Sequence, residues 1–202
     1  MKTVLLAIIL SVISLPAFSQ AEKMREAFYS SYSLEKAGNI PGAISNVQSV
    51  YDDKSYECNL RLAYLKYMSK SYDESATYYK ASIELRPLAI EPRMGYVLPL
   101  IALNKWEEVI AEYKTILTID SKNSIVNYRL GYIYYARKDF KNAYTHFERV
   151  VSLYPFDYDG LIMLAWTNYQ LGKSMEAKQL FEKALLYAPN DKSAKDGLGM
   201  IK

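Results

Sequence analysis

Along most of this chain, apolar side chains recur every three to four residues in stretches of about fourteen residues, the period of helices and not of strands. Short polar turns separate the stretches, among them Ala37-Gly38-Asn39, Lys70-Ser71, Lys138-Asp139 and Gly172-Lys173. The pattern predicts one helix near Ser124 to Arg137 and a second near Phe140 to Tyr154, ending before Pro155, whose ring disfavours continuation. Pro41 suits the first turn of its own helix, where its missing N–H costs nothing.

The helix pairs repeat. Leu130-Gly131 aligns with Leu164-Ala165, Ala143 with Ala177, Phe147 with Phe181, Val150 with Ala184 and Pro155 with Pro189, each pair 34 positions apart. One period earlier stand Val97, Val109, Tyr113, Ile116 and Ser121, and before them Ala63, Ser75, Tyr79, Ser82 and Pro87. A first copy carries Gly38, Ala43, Val47 and Val50, with two residues missing from its connection near Tyr51 to Ser55. The repeats therefore run about 24–55, 56–89, 90–123, 124–157 and 158–191, and residues 192–202 begin a further helix that caps the last repeat. Small residues at Gly131, Ala143, Ala165 and Ala177 allow the two helices of a pair to approach closely, and Phe147 and Phe181 fill the space beyond. Pro99 lies inside a predicted helix and removes one backbone hydrogen bond near Gly95, so a kink is expected there, read as a locally weakened repeat in preference to a hinge.

The spacing of Leu130-Gly131, Tyr134, Ala143, Phe147 and Pro155 resembles the tetratricopeptide repeat signature, over nearly all of Met24 to Asp191. The resemblance implies an all-α superhelical solenoid of five helix pairs plus a short C-terminal capping helix. It also implies that the first helix of each pair, helix A, lines an inner groove with its second, fifth, ninth and twelfth residues. On that basis the partner-binding groove is expected to comprise Phe28, Tyr32, Arg61, Tyr64, Tyr67, Leu98, Tyr128, Arg129, Tyr132, Tyr135, Trp166 and Tyr169, with Arg61 and Arg129 as charged anchors at the sixth positions. Tyr132 and Trp166, both ninth residues, are expected at its centre; the alternative is that they only hold helix A against its neighbour. Some members of the family grip a terminal carboxylate with Lys and Asn, but Tyr32 and Tyr64 stand where Asn would, and Leu60 where a basic residue would, so that clamp is not expected.

Composition narrows the function. A hydrophobic fraction of 50% is ample for a packed core, and 25 basic against 22 acidic residues form no like-charge block of the kind that binds nucleic acid. Lys2, the apolar run Val4 to Ile13, Pro16 and the small residues of Ala17-Phe18-Ser19 read as a secretory leader of residues 1–19 cleaved to leave Gln20, with an uncleaved anchor as the alternative. No cysteine follows the apolar run, so a lipoprotein is not expected; the expected location is the periplasm or the extracellular space. Cys58 and His146 are the only residues of their types and fall in different repeats, and Asp52-Asp53 sits in a turn, so neither catalysis, a metal nor a cofactor is expected. Cys58 reads as a small core residue and His146 as a surface or boundary one. The expected function is an exported, non-enzymatic scaffold or adaptor that holds a protein or peptide; the alternative is a carbohydrate or small ligand stacked on the aromatic rows. Self-association through the incompletely capped C-terminal end is a further expectation.

Overall fold

The computed structural model of the chain describes residues 20–201, and the expected leader, Met1 to Ser19, lies outside them. The described residues are all-α. Helix α1 covers residues 20–36; it is followed by α2 (Ile40–Gln48), α3 (Tyr56–Met68), α4 (Tyr72–Leu85), α5 (Ile90–Ala102) and α6 (Trp106–Ile119). Then come α7 (Ser124–Ala136), α8 (Phe140–Leu153), α9 (Tyr158–Gln170), α10 (Ser174–Tyr187) and α11 (Lys192–Met200). Odd-numbered helices are the A helices of the five pairs and even-numbered ones the B helices, with α11 as the additional short helix. No described helix is long and apolar enough to cross a membrane.

The chain divides into two compact units, residues 1–109 and 110–202, with the boundary inside α6. In the first unit α3 packs on α2, α4 and α5. Its best-formed cluster joins Ala43, Ile44 and Val47 of α2 to Cys58, Leu62 and Leu65 of α3. In the second unit α7 through α11 pack successively, and the A helices also touch one another, α7 with α9 and α9 with α11. Phe147 and Phe181 are fully buried. Burying a side chain of that size contributes about 1.5–3 kcal/mol, which a lone helix pair with one exposed face could not collect on both sides.

A shared geometry joins the A helix to the B helix in every pair. Gly38, Lys70, Asn104, Lys138 and Gly172 all have positive φ, between 57° and 78°, and stand at the same repeat position. In each turn this residue's N–H and the next one's reach back to the end of helix A; in the fourth pair Lys138 donates to the Tyr135 carbonyl and Asp139 to that of Tyr134, both at 2.9 Å. These are Schellman closures, which satisfy carbonyls the helix end leaves unpaired. Asn39 and Asp139 then cap α2 and α8 by accepting the N–H of Gly42 and Asn142. Helix α5 is continuous from Ile90 to Ala102 with Pro99 buried inside it, and at its C-terminal end Leu103 donates to the Pro99 carbonyl.

One register relation runs through both units. In α5, α7, α9 and α11 the sixth residue lies against the large core residue of the preceding B helix. Gly95 meets the Tyr79 ring so closely that a Cβ there would fall inside it, and Gly197 meets Phe181 in the same way. At the equivalent place Arg129 Nη1 donates to the Tyr113 hydroxyl at 3.2 Å, and Met163 packs in the cluster around Phe147.

Candidate functional site

The A helices of the first unit enclose a groove of about 590 Å³. Phe28 and Tyr32 of α1 form one wall, Glu57, Leu60, Arg61 and Tyr64 of α3 the floor, and Glu91 and Gly95 of α5 the other wall. Because Gly95 has no side chain, Tyr79 of the B helix α4 reaches the groove beside it. Burial raises the Tyr79 pKa to about 12, so its hydroxyl stays neutral through the physiological range.

Arg61 is built into this floor. It is only 6% exposed; Nη1 pairs with Glu35 Oε2 at 2.6 Å, and Nε and Nη2 both donate to Ser31 Oγ, at 3.2 and 3.1 Å. Its guanidinium lies 3.9 Å from the centre of the Tyr32 ring, a cation–π contact. The Tyr64 hydroxyl bonds to the same Glu35, and burial followed by that bond pushes its pKa up. The charge of Arg61 is thus spent within the fold. Arg129, at the equivalent position, is exposed, and its Nη1 donates to the Tyr113 hydroxyl. One repeat before it, Val97 and Ile101 occupy the places of Ser31 and Glu35 and supply neither hydroxyl nor carboxylate.

The second unit has a smaller concavity of about 210 Å³, lined by Ser124, Ile125, Tyr128 and Arg129 of α7, Val150 and Tyr154 at the end of α8, and Asp157 and Asp159 at the start of α9. Desolvation, then the charge of Asp159, raises the Tyr128 pKa. Tyr132, one turn further along α7, is 56% exposed. Trp166 is half-buried; its indole N–H donates to Ser193 Oγ of α11 at 2.8 Å, and its ring meets Phe181 edge-on at 5.0 Å.

Of the twelve expected groove residues, Phe28, Tyr32, Arg61 and Tyr64 come together in the first groove, and Tyr128 and Arg129 in the second concavity. The others line neither: Tyr67 packs on Tyr72, Tyr135 on Phe140, Tyr169 on Trp166, and Leu98 is half-buried. Sequence reasoning passed over Glu57 and Glu91, although the 34-residue period puts both at the second position of an A helix, and over Tyr79, whose core position hid its access through the Gly95 gap.

Among the described residues, no group of three or more His, Cys, Asp and Glu is placed to hold a metal. Cys58 is fully buried, its thiol facing the Val50 carbonyl at 3.9 Å. His146 stacks on Tyr134 with ring centres 5.6 Å apart, and its Nδ1 lies 3.1 Å from Asn127 Oδ1. The contact sets an imidazole nitrogen against the side-chain amide oxygen of Asn127.

Residues 134–201 match a family model described as tetratricopeptide repeat. No curated protein matches the sequence. Among solved structures, a tetratricopeptide repeat protein from Parabacteroides merdae superposes with a TM-score of 0.74 at 14% identity, over 89% of this chain and 72% of that one. MamA from Desulfovibrio magneticus does so at 0.69 and 13% identity, covering 84% and 97%. YrrB, described as a tetratricopeptide protein with an unusual peptide-binding site, gives 0.70 at 10% identity, covering 92% and 97%. Likeness at such identities speaks to the fold, that of a tetratricopeptide-repeat solenoid.

Proposed function

We propose that this chain, with the fold of a tetratricopeptide-repeat solenoid, is a non-enzymatic scaffold that holds a protein or peptide partner against the exposed faces of its A helices. The observation that carries this reading is the first-unit groove: about 590 Å³, formed by three A helices and lined largely by aromatic and aliphatic side chains. A concave apolar surface with a few fixed polar groups suits an extended or helical segment of another chain. The description of YrrB as a peptide-binding protein of the same fold supports it. In the second unit we assign the contact role to Tyr132, which is exposed, while Trp166 is engaged with α11. The apolar run and small-residue site at the N-terminus support export to the periplasm or the extracellular space.

The test is site-specific photocrosslinking in the native cell. A photoreactive residue at Leu60, and independently one at Tyr132, should capture a protein partner, whereas one at Thr77, exposed on a B helix, should not. Tyr132→Ala should reduce capture with little change in melting temperature, because the side chain fills no core space. Equal capture from Thr77, or none from either groove position, would overturn the scaffold reading. Calorimetric titration with oligosaccharides addresses the carbohydrate alternative: heat from glycans, with no captured protein, would replace one reading by the other.

A further inference from the structure

We propose that the first-unit groove selects a basic segment of its partner, seating a lysine or arginine side chain between Glu57 and Glu91 over the tyrosine rings. The inference rests on the groove reading above and adds the chemistry of the occupant. Every cation that lines the groove is accounted for: it is Arg61 alone, buried and neutralised by Glu35 at 2.6 Å. The two remaining charged lining residues are both carboxylates, Glu57 and Glu91, and both are exposed. They stand one repeat apart at the same position of adjacent A helices, α3 and α5, which pack on each other. Each is oriented by a hydroxyl: Ser55 Oγ donates to Glu57 Oε2, and the Tyr56 hydroxyl to Glu91 Oε2, both at 3.1 Å. Two other cations of this unit approach aromatic rings, Arg86 on Tyr56 and Lys80 on Tyr96, and neither lines the groove.

The aromatic floor adds to the carboxylates. A cation over the face of a tyrosine is attracted by the ring quadrupole, most strongly where water is partly excluded, and the aliphatic stem of Lys or Arg would lie along Leu60 and Phe28. The fold already shows the preference in use, with Arg61 seated over Tyr32. Bulk electrostatics do not explain such selection, because the whole chain carries a formal charge of +3 and repels a basic peptide at long range. The attraction is local to the groove.

The experiment titrates the purified protein, starting at Gln20, with three blocked fluorescent peptides of equal length: oligoarginine, oligoglutamate and a Gly-Ser repeat. Amide shifts of Glu57 and Gly95 report where each one binds. Oligoarginine is expected to move those amides and to bind at least about tenfold tighter than the others, with an affinity that falls as salt rises. The double variant Glu57→Gln with Glu91→Gln should lose about tenfold of that affinity at an unchanged melting temperature, since Gln still accepts from Ser55 and Tyr56. If the neutral or acidic peptide binds the groove equally well, or the double variant binds oligoarginine undiminished, the charge selection is overturned while the groove reading stands. If no peptide moves the groove amides, both fall.

Discussion

At the scale of single residues, the same side chain does different work according to what the neighbouring repeat presents to it. Arg61 and Arg129 share a position, yet one is buried in an ion pair and the other is exposed, because only the first has Ser31 and Glu35 across from it. The two arginines were indistinguishable from their period, since the partners come from another helix. His146 is another case in which surroundings set chemistry. Burial first, and the Lys114 charge second, hold its pKa below the ordinary 6.5. The unfolded chain therefore takes up a proton at higher pH than the folded one. His146 contributes no penalty above about pH 7, and the second unit loses stability as pH falls through the unfolded-state value near 6.5 toward the lower folded value. Denaturant melts between pH 8 and 5 should show that loss, and His146→Gln, which keeps an amide able to bond Asn127, should flatten the slope in this window. An unchanged slope in the variant would show that other groups set the acid sensitivity.

At the scale of elements, periodicity made much of the fold legible and left its tightest contacts hidden. The pattern placed helices from Ser124 and from Phe140, where α7 and α8 begin, and marked four of the five A-to-B turns. It did not show that all five turns share a left-handed residue, since lysine at Lys70 and Lys138 gives no glycine-like signal. Nor did it show that the sixth position of α5, α7, α9 and α11 meets the core aromatic of the B helix before it, a relation between elements that no single period contains. Two glycines of α11 make this testable. Gly197 lies against the Phe181 ring, so a methyl group there must displace a buried side chain, whereas nothing lies within 4 Å of a Cβ at Gly199. Gly197→Ala should destabilise the second unit by about 1–3 kcal/mol through overpacking, while Gly199→Ala should be neutral or stabilising by up to about 1 kcal/mol through helix propensity. Thermal melts of the two variants measure both effects, and equal behaviour would mean that α11 does not seat on Phe181 as described.

At the scale of the whole molecule, each unit must cover the apolar face that a repeat leaves open. In the second unit that cover is α11. Leu161, Ile162 and Ala165 of α9 and Ala177, Phe181 and Ala184 of α10 form one cluster with Ala194, while Leu198 and Ile201 pack against it. Asp191 caps α11 by accepting the Ala194 N–H, and its hydrogen bond from the Tyr158 hydroxyl, followed by that backbone bond, keeps its pKa low. Ser193 holds the Trp166 indole in place. Deleting residues 192–202 removes Ala194, Leu198 and Ile201 from the cluster, the N–H that Asp191 accepts and the hydroxyl that holds Trp166, while leaving α9 and α10 in place. Uncovering even one side of Phe181 together with its neighbours forfeits a few kcal/mol of burial, and a few kcal/mol in a unit of this size lowers the melting temperature by roughly 8 °C or more. The exposed ledge would be apolar and broad, a surface that soluble chains seldom leave open, so the truncated protein should also self-associate. Light scattering before and after truncation reads the association. Tryptophan emission reads the local change, because Trp166 loses its bond to Ser193 and its spectrum should shift to the red. A truncated chain that stays monomeric, with unshifted emission and an unchanged melt, would show that α11 is an appendage and that the cluster around Phe181 closes without it.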